Sequence, residues 1–105
     1  MIIITYKHEL INTNFIGYIR MDSFFLEPAN IYNTESLWRL TAVMCDGTNV
    51  ILGHYPTAEL AQSEREIIYE GWRNGESKCS IIEGMCVSEC AENYFGYKGS
   101  KDGDT

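Results

Sequence analysis

Residues 38–75 constrain the fold more than any other stretch, because they read as strand, turn, strand and helix with a chemical signal at each joint. Trp38, Leu40, Ala42 and Met44 recur at every second position, the period of a strand with one buried face. Asp46-Gly47 follows, and both residue types tolerate the backbone of a tight hairpin turn. Val50 to Tyr55 form a second apolar run, which Pro56 ends. Thr57 then offers a hydroxyl cap to a run free of glycine and proline through Glu70. Asn74-Gly75 supplies the stop. A helix is expected over about 57–74.

The flanks add shorter elements. Ile2 to Tyr6 reads as a strand, Lys7-His8-Glu9 as a polar turn and Leu10-Ile11 as the return. Asn12-Thr13-Asn14 interrupts the run. Phe15 to Met21 resumes it, with Phe15, Ile19 and Met21 expected on one face. Residues 27–36 carry Pro28 and several turn formers, and are expected to form the main loop. Ser80 to Ile82 fit a short edge strand and residues 85–95 a short helix. Residues 96–105 have no apolar periodicity and are expected to be disordered. The resulting expectation is one α+β domain over residues 1–95: an antiparallel sheet of four to five strands with one main helix packed on one face.

Charge narrows the partner classes. The net charge is −7 and there are only eight Lys and Arg residues. Affinity for nucleic acid depends on cationic contacts to phosphates, so direct nucleic-acid binding is not expected. An anionic membrane is disfavoured for the same reason. No segment is long and apolar enough to span a bilayer. The opening MIIITYKHEL has too short an apolar run for a secretory signal and no basic segment before it. A cytoplasmic location is therefore expected, and with it four reduced cysteines. The partner class compatible with the charge is a protein with a basic surface. Solubility is the simpler use of the same charge.

The helix holds one anomaly. At 100° per residue, Leu60, Ala61, Ile67, Ile68, Gly71 and Trp72 share an arc, and Glu64 falls in its middle. A carboxylate there must be hydrogen-bonded, paired, at the helix's exposed edge, or protonated; the functional reading is that this face docks a partner or a second copy. The internal candidates for pairing are Arg20, Arg39 or a tyrosine hydroxyl. In the paired case, Glu64→Leu is expected to leave stability unchanged or raise it, since buried pairs often only break even. On the opposite side Glu59, Glu66 and Glu70 align into an acidic stripe about 16 Å long at 1.5 Å per residue. It reads either as a solvated face or as a row of carboxylates that imitates phosphates for a basic groove.

Other chemistry is thinly signalled. Cys79, Cys86 and Cys90 are the residues a metal would use, but their spacing lacks the paired short intervals of zinc sites. The two histidines, His8 and His54, adjoin no cysteine in sequence, so no thiol nucleophile with its base is apparent. The glycines form no phosphate loop. No cofactor and no catalytic residue is expected. Of the seven tyrosines and two tryptophans, Tyr55, Tyr69 and Trp72 are the candidate interface aromatics.

The segment CDGTNVILGHYPTAELA, through Asp46, Gly47, Leu52, Gly53, Tyr55, Thr57 and Ala61, resembles a pattern in short uncharacterised proteins of Gram-positive bacteria and their phages. The resemblance covers residues 1–75 and implies a strand–turn–strand–helix core; it carries over no enzyme activity and no catalytic residue. Glu64 departs from it, as do the longer 22–36 segment and the cysteine-bearing tail. The expected function is a non-enzymatic interaction module, for instance a phage inhibitor of bacterial defence of the anti-CRISPR kind. The alternatives are a small cysteine-based metal-binding or enzymatic domain, and a homodimeric structural or regulatory module.

Overall fold

A computed structural model describes residues 1–25 and 36–94. The chain runs β1 (Ile2–Ile4), β2 (Leu10–Asn12), a short 3-10 turn (Thr13–Phe15), β3 (Ile16–Phe25), β4 (Ser36–Met44), β5 (Asn49–Tyr55), α1 (Ala58–Arg73), β6 (Lys78–Ser80) and α2 (Val87–Tyr94). The expected loop over 27–36, save its last residue, and the expected disordered tail lie outside the described residues.

The class is α+β, but the single sheet of four to five strands is replaced by two sheets of three. One has the order β2-β1-β6 and the other β3-β4-β5. The break falls at residues 13–15. The Asn12 side chain accepts from the Asn14 amide at 2.9 Å and caps the 3-10 turn, so the chain leaves the line of β2 and β3 opens a second sheet. The edge of β1 is filled instead by β6, which runs parallel to it with Ile3 opposite Cys79.

Local chemistry fixes the turns. Thr5 Oγ1 accepts from the amides of Lys7 and Glu9, which closes the β1–β2 turn around His8. In the β4–β5 turn, Asp46 Oδ1 accepts from the Thr48 amide at 2.9 Å and from the Thr48 hydroxyl. Gly47 carries the positive φ of 93° that a side chain would make costly.

One face of the β3-β4-β5 sheet carries Ile19, Leu40 and Ala42, all buried. Helix α1 packs across it with Ala61, Glu64 and Ile68. Burying a side chain the size of Ile68 stabilises by about 2–3 kcal/mol. The Thr57 hydroxyl accepts from the Leu60 amide at 3.2 Å, as its position predicts, and Asn74 forms the C-cap. The expected inward set of Phe15, Ile19 and Met21 is wrong at one point: Phe15 ends the 3-10 turn and is 61% exposed, and Ile16, the first residue of β3, is buried in its place. A bulge at Gly17 shifts the register between Ile16 and Tyr18, and one extra residue turns the preceding side chains over. A smaller cluster, Leu37 and Cys90 with Phe24, Met85 and Val87, joins α2 to the far face of the same sheet.

Candidate functional site: the α1 groove and the buried carboxylate

Glu64 is 1% exposed, and its carboxylate has four donors. Oε1 accepts from the Tyr55 hydroxyl at 2.9 Å and from the Glu83 and Gly84 amides at 3.0 Å each. Oε2 accepts from the Ile82 amide at 2.8 Å. Three consecutive main-chain N–H groups and one phenol thus converge on one side chain from α1. Of the three partners considered from sequence, the tyrosine hydroxyl is the one present. The main-chain amides carry no sequence signal.

The consequence is mechanical. Segment 81–84 is clamped to α1 on one side and to β5 on the other. Gly84 packs against Gly53 so closely that a Cβ on Gly53 would lie 2.8 Å from the Gly84 Cα. His54 and Met85 exchange two main-chain hydrogen bonds of 2.9 Å immediately beyond. Burial, and then the Glu64 carboxylate, push the Tyr55 phenol far above the usual tyrosine range, so it stays a donor. Glu64 and Tyr55, both candidates for an interface, are therefore closed to a partner in this structure. Each is committed to the other.

The second titratable group inside is His54, 6% exposed, with Nδ1 3.2 Å from the Met85 carbonyl. Its ring meets those of Tyr6 and Phe24 edge-on, at centroid distances of 5.4 and 5.9 Å. Burial holds its pKa below the ordinary histidine value. The Met85 carbonyl opposes that, and the Arg39 and Lys7 charges reinforce it. Arg39 itself pairs with Asp22 at 2.7 Å and lies over the Phe24 ring.

Outside, the acidic stripe is where the periodicity puts it: Glu59, Glu66 and Glu70 are all exposed. Glu66, Ile67 and Glu70 line a groove of about 470 Å³ between α1 and the 76–79 segment, which contributes Glu76, Lys78 and Cys79 to the lining. Glu59 is not part of that lining. Arg73 approaches Glu70 at 3.7 Å with both side chains mostly in water, an arrangement worth little. Ile67, placed by the arc among the core residues, is 50% exposed. It sits at the rim of the arc, about 120° from Ala61, and the sheet does not reach it. Tyr69 and Trp72 are half-buried. They lie against each other at 6.3 Å and pack on the main core, so only their edges are available to a partner.

The four cysteines are free thiols. Cys79 and Cys90 are both held protonated chiefly by burial, Cys90 up to about 12. Cys86 precedes α2, with Sγ 3.3 Å from the Ser88 hydroxyl. Among the described residues no three His, Cys, Asp or Glu side chains converge as a metal site would require. Among them, too, no helix is long and apolar enough to cross a membrane. Compared with protein-family models, curated protein sequences and solved structures, the chain matches none.

Proposed function

We propose that this chain is a non-enzymatic intracellular interaction module whose partner surface is the groove between α1 and the 76–79 segment. The observation that carries the reading is Ile67. An isoleucine half-open to water lines the groove together with Glu66 and Glu70 of α1 and Glu76 of the facing segment. That arrangement suits a basic segment that seats one apolar side chain on Ile67 and sets Lys or Arg against the carboxylates. The apolar contact supplies affinity at the centre, and the charges supply steering and register. Lys78 is the one basic residue in the lining, so the groove as a whole attracts cations.

A basic protein groove built for nucleic acid is one partner of this chemistry. An inhibitor of a bacterial defence complex, of the anti-CRISPR kind, is the most concrete form of the proposal. It rests on the negative charge and on the resemblance of residues 1–75. The test is affinity capture from a lysate of Gram-positive bacteria with the wild type, Glu66→Lys/Glu70→Lys/Glu76→Lys and Ile67→Ser. Glu59→Lys, outside the groove, is the control. The proposal expects a captured protein that the triple variant and Ile67→Ser lose and Glu59→Lys keeps, with binding weakened by salt. Equal capture by all four proteins sinks it.

A further inference from the structure

We propose that this protein forms a symmetric dimer in which the outer edge of β3 pairs antiparallel with β3 of a second copy, joining two three-stranded sheets into one of six. The inference goes beyond the groove and does not rest on it. It follows from the register of β3.

The direction of each peptide group in β4 is fixed by two bonds. The Met44 amide donates to the Thr48 carbonyl, towards β5, and the Cys45 amide donates to the Phe15 carbonyl, towards the β3 side. Odd residues of β4 therefore turn to β3. Their partners there are Tyr18, Arg20, Asp22 and Phe24, opposite Val43, Thr41, Arg39 and Leu37. Antiparallel pairs alternate, so the peptide groups of Ile19, Met21 and Ser23 point out of the sheet. Among the described residues no strand takes them, because β3 ends its sheet. A ten-residue edge strand whose outward N–H and C=O groups meet no strand among the described residues is a template for another strand.

The sequence of that edge is complementary to itself in one register. With the two-fold axis at Met21, Ile19 meets Ser23 of the second copy and Met21 meets Met21, which gives about six main-chain hydrogen bonds. On the side-chain face away from α1, Arg20 then lies opposite Asp22 of the copy, Asp22 opposite Arg20, and Tyr18 opposite Phe24. The two neighbouring registers that keep the same hydrogen-bond pattern place Arg20 against Arg20 or Asp22 against Asp22. Like charges directly opposite each other destabilise a strand pair, and opposite charges support it. The register is thus selected by charge. Tyr18 and Arg20 are exposed. Within its own chain Asp22 lies 2.7 Å from Arg39 Nη2 and 3.8 Å from Arg20 Nε, so the carboxylate already sits among guanidinium groups on the face where the copy's Arg20 arrives.

The experiment is analytical ultracentrifugation of the full chain under reducing conditions, from micromolar to a few hundred micromolar, with amide hydrogen exchange at both ends of that range. A particle of twice the 12.0 kDa chain mass is expected at the upper end, with the Ile19, Met21 and Ser23 amides exchanging more slowly there than at the lower end. Arg20→Asp puts like charges together twice in the symmetric pair and should weaken association by about a hundredfold. Ser23→Pro removes an outward N–H that β4 does not use and should weaken it while the circular dichroism spectrum stays that of the wild type. A monomer throughout the range overturns the proposal. So does a dimer that both folded variants retain, or one in which those three amides still exchange at the monomer's rate. If Arg20→Asp does not fold, Ser23→Pro and the exchange pattern decide.

Discussion

Replacing Glu64 by leucine removes the acceptor for four donors and none of the donors. Three are main-chain amides of Ile82, Glu83 and Gly84, which no compensating substitution deletes, and the fourth is the Tyr55 hydroxyl. This reverses the expectation from sequence, where a side-chain partner made leucine neutral or favourable. A donor left buried without a partner costs about 1–3 kcal/mol. The side chains of Ile82 and Glu83 face water, so a small loop movement rehydrates their amides and discounts their share. Tyr55 is fully buried and its hydroxyl has no such escape. With leucine's own burial credited, the net loss is about 3 kcal/mol. For a chain of this size that lowers Tm by roughly 12 °C. Glu64→Gln keeps the shape but turns a donor towards the Ile82 amide, at about 2 kcal/mol, and Tyr55→Phe costs about 1 kcal/mol. Thermal and urea unfolding followed by circular dichroism measure the series. Native-state exchange should show the 82–84 amides protected in the wild type and open in Glu64→Leu. A leucine variant within about 2 °C of wild type, with those amides still protected, refutes the clamp.

Three further outcomes follow from the same interior. Gly84→Ala places a Cβ 2.7 Å from Ile81 Cγ2 and 2.9 Å from the Gly53 Cα, so it should destabilise by about 2 kcal/mol in urea unfolding. His54 has a depressed folded pKa, so the unfolded chain binds the extra proton: stability should hold above pH 6.5 and decline as pH falls from there through the folded value. His54→Gln should flatten that part of a stability-versus-pH curve, and an unchanged slope would show that other groups set it. Alkylation of the native protein at pH 8 followed by peptide mass mapping should modify the exposed Cys45 first and leave Cys90, buried and pushed up to about 12, until the chain unfolds. Early modification of Cys90 would contradict its packing between α2 and Leu37 of β4.

The β4–β5–α1 unit was legible because each of its boundaries is a local event: the Asp46-Gly47 turn, Pro56, the Thr57 cap, and Asn74 with Gly75. The sheet count was not, because the decisive contact is the parallel pairing of Ile3 with Cys79. Three-residue strands have too little pattern to announce a partner so distant in the chain. The acidic stripe was legible from helical period alone. Its companion Ile67 was misplaced because an arc drawn on a helix does not know how wide the opposing sheet is. The position of Glu64 in the apolar arc marked it as a residue that must be satisfied, yet main-chain amides have no side-chain identity from which to predict them.

The claim that the α1 groove is the binding surface is tested most directly by nuclear magnetic resonance. The probe is a short Lys/Arg peptide with one central leucine, titrated into ¹⁵N-labelled protein at low and moderate salt. The account predicts amide shifts that cluster at Ser63, Glu66, Ile67, Glu70 and residues 76–79, shrink as salt rises, and vanish in Ile67→Ser when a peptide with alanine in place of leucine is used. Shifts spread evenly over Glu59, Glu83, Glu89 and the other exposed carboxylates, with no preference for the groove, would contradict it and leave the negative charge as a means of solubility.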